Sequence, residues 1–139
     1  MRILRSVVAI VAGFWFMATT VWVGTLVAAR VLMPDDIYNG TIPATLPAAY
    51  LAALLAVSAL GSLMGGWLAA RIAPFAPFAH ACVLAAISAA MSVNLLIMPR
   101  DAPQLWWYAV ANSVIGALGV LLGGKLRAAA AAARGPVVA

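Results

Sequence analysis

Four long apolar runs, covering roughly residues 6–33, 46–72, 78–98 and 104–126, alternate with short polar breaks along the chain. Every charged residue lies in a break, at a terminus or close to the end of a run. A helix rising about 1.5 Å per residue needs roughly 20 apolar residues to cross about 30 Å of hydrocarbon, and each run reaches that length. The first two are long enough to tilt or to project beyond a bilayer. The pattern therefore predicts an all-α fold: a four-helix transmembrane bundle made of two tandem helical hairpins. Residues 1–139 form one domain, and 127–139 are its short cytoplasmic tail.

The breaks carry turn chemistry. Pro34 disfavours helix in the residue before it, and the 35–44 segment contains Tyr38-Asn39-Gly40 and Pro43. Thr45 can cap the second helix, with Pro47 in the first turn where a missing N–H costs nothing. Pro74-Phe75-Ala76-Pro77-Phe78 makes a tight link to the third helix. That helix closes at Met98-Pro99, and Asp101 and Gln104 stand in capping-box spacing before the fourth.

Inside this frame one stretch occurs twice. LGSLMGGWLAARIA at 60–73 returns as LGVLLGGKLRAAAA at 118–131, and a shift of 58 residues also superposes Tyr50 on Tyr108. The first helices of the two hairpins end alike, in Leu32-Met33-Pro34-Asp35 and Ile97-Met98-Pro99-Arg100. The pattern reads as an internal duplication of one hairpin, the copies related by a pseudo-two-fold along the membrane normal. Lipid is as apolar as leucine, so helices in a membrane gain by close backbone approach at small residues. Gly61, Gly65, Gly66, Gly119, Gly123 and Gly124 are accordingly the predicted packing positions. Clustered glycines beside Arg71 could instead cradle an anion. The second copy keeps the glycines but has Ala129 in place of Arg71, so packing is their shared role and Arg71 reads as a topology anchor.

Composition agrees with the span pattern: 67% of the 139 residues are hydrophobic and 8% charged, too few polar residues to cover a soluble domain. The formal charge of +5 could suggest nucleic acid, but the eight basic residues are scattered at helix ends and form no patch. No nucleic-acid partner is expected. In a four-span arrangement Arg2, Arg5, Arg71, Lys125, Arg127 and Arg134 fall on one side. Arg30 and Arg100 fall on the other with Asp35, Asp36 and Asp101. Lys and Arg accumulate on the cytoplasmic side, which predicts a bacterial inner-membrane protein with both termini inside. Arg2 and Arg5 resemble the start of a signal peptide, but the run that follows is too long and lacks a cleavage site, so an uncleaved first span is expected.

Chemistry has little to work with. No Asp or Glu lies within a run, which argues against a proton-coupled exporter. Cys82 is alone in an apolar helix, where a thiol is inert packing. His80, without a carboxylate or thiolate partner, reads as an interfacial residue rather than a ligand. No catalytic, metal or cofactor site is expected. Asn94 and Asn112 are the polar exceptions. Helical rise puts both about 6–10 Å below the outer interface, where they could share an interhelical hydrogen bond or, joined by Ser92, Ser113 or Arg30, form a polar outward-facing site.

The GGWLAARIA stretch, Ala79-His80-Ala81, Asn94-Leu95-Leu96-Ile97-Met98-Pro99 with Trp106-Trp107, and Leu122-Gly123-Gly124-Lys125-Leu126 together resemble a group of small bacterial four-span integral membrane proteins. That resemblance covers about the last two-thirds of the chain and implies a membrane bundle but no activity. His80, Asn94 and the two glycine pairs match its pattern. The strongly basic inner loop such relatives have is replaced here by the uncharged 74–78 link. The leading expectation is a non-enzymatic structural or accessory membrane component, in contact with the lipid bilayer and with itself or another membrane protein. The alternative is a small transporter or channel subunit. Four helices leave little room for a pore, so transport would need an oligomer. A water-filled cavity between the third and fourth helices would favour that alternative, and a dry, tightly packed centre would exclude it for the monomer.

Overall fold

The computed structural model describes residues 2–33, 35, 46–97 and 105–133, with the side chains of 2, 93–97 and 105 outside the description. Among the described residues there are four helices and no strand: α1 Arg2–Leu32, α2 Ala48–Ile72, α3 Pro77–Ile97 and α4 Leu105–Ala132. α1, α2 and α4 are long and apolar enough to cross a membrane, and α3 is a shorter apolar helix. The α4 helix runs unbroken past Arg127 to Ala132.

Helix ends follow local chemistry, with one change from expectation. Pro47, not Thr45, occupies the cap position of α2, and no side chain caps it. Thr45 itself lies outside the described residues, as do Asp101 and Gln104. Between α2 and α3 the link is as tight as its prolines suggest. Ala73 N–H closes on Ala69 O at 3.1 Å, Ala76 takes a left-handed φ of 41°, and Ala79 N–H donates to Ala76 O at 3.0 Å. Pro77 then opens α3 at a first-turn position where no N–H is needed.

Around the bundle the helices run in the order α1, α2, α4, α3. α2 is the central element, packed most extensively on α4 and almost as extensively on α1, and α3 packs mainly on α4. Gly13 lies against Gly65 and Ala69, and Gly24 against Val57, so α1 and α2 are antiparallel. Gly119 lies against Ala59 and Ser62, and Gly123 against Leu63 and Trp67, so α2 and α4 are parallel. Their relative register is close to the 58-residue repeat. α1 and α3 meet around Gly13 and Leu84, whereas α1 and α4 do not touch among the described residues.

Two apolar clusters hold these contacts. Ala69, Ala81, Leu84, Ala85 and Val120, backed by Ile10, Phe14, Met17 and Leu121, fill the half of the bundle nearest the α2–α3 turn. Ala28, Ala29, Met33 and Tyr50, with Leu46, Ala53 and Leu54, pin the opposite end of α1 to α2. Outside the clusters the surface is apolar, with Trp15, Trp22 and Trp106 each 66% exposed. Such a surface suits contact with lipid tails and not with water.

Candidate functional site

The six packing glycines divide among three interfaces. Gly61 and Gly65 face α1, where an added Cβ would lie 3.2 Å from Val21 Cγ2 or 2.8 Å from Gly13 O. Gly66 faces the Val120 backbone, and Gly119 and Gly123 face α2, the latter against Leu63 O. Gly124 turns to α3 and Ala81. Neither α1 glycine has a regular spacing to give it away, yet Gly13 and Gly24 are as tightly placed as the repeated ones.

On the side of the bundle away from the α2–α3 turn, a cavity of about 580 Å³ lies among all four helices. From α1 it is walled by Phe14, Met17, Val21, Trp22 and Thr25. Ser58 and Ser62 of α2 form its back, and Ser88, Met91 and Ser92 of α3 face Asn112 and Gly116 of α4. Towards the α2–α3 turn it is stopped by the fully buried Leu84 and Val120. The mouth is the edge between α1 and α3, where Trp22 and Met91 are exposed.

Helical spacing explains the convergence. Ser58 and Ser62, Ser88 and Ser92, and Asn112 and Gly116 are each four apart, so each pair stacks on one face of its helix. Most hydroxyl protons are used within the helix: Ser62 Oγ donates to Ser58 O at 2.6 Å, Ser88 Oγ to Leu84 O at 2.9 Å and Ser92 Oγ to Ser88 O at 2.9 Å. What those serines retain is acceptor capacity on Oγ. Ser58 and Ser62 are almost closed off, at 5% and 1% exposure, so Thr25, Ser88 and Ser92 are the more accessible hydroxyls of the lining. Asn112 adds an amide that both donates and accepts, and no hydrogen bond joins it to another described residue. Among the described residues no charged side chain lines the cavity.

Of the expected polar site, the structure brings Asn112 and Ser92 to the cavity, together with Ser58, Ser62 and Ser88, while Ser113 is not part of the lining. Arg30 is exposed near the end of α1 and is not part of the lining. The Asn94 side chain lies outside the described residues, and with it the proposed pairing of Asn94 with Asn112. His80 is buried at 6% exposure beside the α2–α3 turn, with Nδ1 3.2 Å from Ala76 O and its ring edge-on to Phe75 at 5.5 Å. It fastens the α2–α3 turn. Among the described residues no group of His, Cys, Asp and Glu could hold a metal ion.

No protein-family model, curated protein or solved structure matches this chain.

Proposed function

We propose that this is a four-span bacterial inner-membrane protein with both termini cytoplasmic, and that it handles a small uncharged solute in the cavity described above. The observation that carries the reading is the convergence of Ser88, Ser92 and Asn112 on one cleft with apolar walls. Polar groups are costly within a membrane and there face the bundle interior or a cavity. A pocket of about 300–1,000 Å³ with apolar walls and a few convergent polar groups is the usual form of a small-molecule site. With no charge among the described lining residues and several oxygen acceptors, the fitting occupant is a neutral molecule carrying hydroxyl or amide donors on an apolar body. α3, with 21 residues, is long enough for the fourth crossing at about 1.5 Å per residue. Charge then places the cleft mouth towards the outer face.

The reading is tested by thermal unfolding of the purified protein against a panel of neutral alcohols, polyols and amides, with Asn112→Leu alongside. At least one should stabilise the native protein and lose its effect in the variant, and uptake of that solute into proteoliposomes would follow. A panel that stabilises neither, or both equally, removes the reading. For topology, a C-terminal reporter active only in the periplasm should stay silent.

A second reading, a non-enzymatic accessory component working through helix contacts, is favoured by α1, which packs mainly on α2 and keeps Trp15 and Trp22 exposed. Crosslinking through α1 in native membranes would return a defined partner if it holds.

A further inference from the structure

At the opposite end of the bundle, a cavity of about 220 Å³ opens between the last turns of α2 and α4, lined by Trp67, Arg71, Arg127 and Ala130. Two guanidinium groups from different helices share this small space, and among the described residues no carboxylate is in its lining. Trp67 supports Arg71, whose Cζ stands 5.0 Å over the indole ring. A guanidinium held by its face keeps its N–H edges available, the geometry that suits two-pronged contact with phosphate oxygens. The partial charge of about −0.5 at the end of α2 leaves two arginines there well in excess.

A second cavity begins at the same tryptophan. Trp67 also borders an apolar groove of about 470 Å³, formed with Phe16 of α1 and Leu63, Met64 and Leu68 of α2. Phe16 in turn borders the next hollow along the α1–α2 seam, about 440 Å³, which includes Leu60 and Val57. From Arg71 to Leu60 the helix rises about 16 Å, close to the roughly 15 Å thickness of one hydrocarbon leaflet. A basic head joined through an amphipathic indole to an apolar furrow one leaflet long has the shape and polarity of a phospholipid.

We propose that this surface binds an anionic phospholipid, its phosphate between Arg71 and Arg127 and an acyl chain along the α1–α2 groove past Trp67, Met64 and Phe16. Basic pockets between spans at the cytoplasmic face hold anionic headgroups by this chemistry. The glycine-rich run thus contributes Trp67 and Arg71, while the second basic group comes from α4.

The test uses the full-length protein in detergent, with thermal stability followed against phosphatidylglycerol, phosphatidylcholine and inorganic phosphate. Phosphatidylglycerol should stabilise the native protein, whereas phosphatidylcholine and inorganic phosphate at equal concentration should not. In the double variant R71Q/R127Q the apparent affinity for phosphatidylglycerol should fall about 30-fold, and R5Q, at the same end but off the cavity, should leave it unchanged. Equal affinity in R71Q/R127Q and the native protein overturns the proposal, and so does a matching response to inorganic phosphate, which would mark a site for free anions. If R71Q/R127Q does not fold, native mass spectrometry of the unaltered protein decides: retention of phosphatidylglycerol over phosphatidylcholine supports the site, and equal retention refutes it.

Discussion

Gly123→Ala separates close helix packing from mere helix propensity. A methyl at 123 would run into Leu63 O and stand 2.8 Å from Trp67 N, both backbone atoms of α2 that no rotamer change can move. Carbon–oxygen contacts settle at about 3.3–3.6 Å, so α4 must retreat on the order of 1 Å. A gap of that size forfeits roughly a quarter to a half of the dispersion attraction across it, and dispersion is what joins helices in lipid. Overpacking costs about 1–3 kcal/mol, and backbone on both sides puts this site at the upper end. The better helix propensity of alanine offsets about 1 kcal/mol. The net loss is about 2 kcal/mol, a fall in Tm of about 6 °C for a chain of this size. Gly116, on the same helix, is the control: its added Cβ would find only Ser62 Oγ, at 3.7 Å. Gly116→Ala should therefore stabilise by about 0.5–1 kcal/mol. Thermal unfolding in one detergent compares the two variants. A Gly123→Ala protein at or above native stability would refute the argument that α2 and α4 are joined backbone to backbone.

Three further substitutions probe other joints. Ala76→Gly removes a left-handed strain of about 1–2 kcal/mol at φ 41° while adding some unfolded-chain freedom, so it should raise stability by about 0.5 kcal/mol in the same thermal assay. His80→Ala deletes the contact with Ala76 O and the edge-on contact with Phe75, and should cost about 1–2 kcal/mol, where an interfacial histidine would cost almost nothing. Leu84→Ala opens the fully buried stop beneath the cleft and should cost about 2–5 kcal/mol, read by thermal unfolding or by denaturant.

The helices were legible in the sequence because twenty-residue apolar runs have few other outcomes, and their ends followed Pro34, Pro77 and the 74–77 link. The α2 start was not, because a threonine before a proline looks like a cap until the backbone shows Pro47 in that place. Repetition made the α2 and α4 glycines visible, while Gly13 and Gly24 had no pattern to reveal them although α1 uses both against α2. For the site, Asn112 stood out by being an amide within a span. Ser92 was legible as a possible companion of the amides, whereas Ser88, Ser58 and Ser62 were not, because four-residue spacing in a membrane helix reads equally as packing, and only the arrangement of neighbours distinguishes a filled face from a lined cavity. The contacts of His80 were not legible for a related reason: the sequence shows that it follows the turn, not that it is buried against Ala76 and Phe75.

The cleft has its origin in how the repeated segments are used. Under a two-fold relation, residues 58 apart would meet equivalent partners, so Gly65 against α1 would be matched by Gly123 against α3, and α2 against α3 by α4 against α1. Instead Gly123 packs on α2, only Gly124 reaches α3, and α1 and α4 stay apart among the described residues. Both glycine ridges of α2 are occupied at once, Gly61 and Gly65 by α1 and Gly66 by α4, which makes α2 the central helix. Drawing α4 onto α2 leaves α1 with one full neighbour and a short contact to α3 near Gly13. Beyond that contact the walls diverge, and Ser88, Ser92 and Asn112 line the space between them. The same backbone contacts that close one half of the bundle thus hold the other half open, so tightening or loosening the α2–α4 seam should alter the volume of a cleft that neither glycine row touches directly.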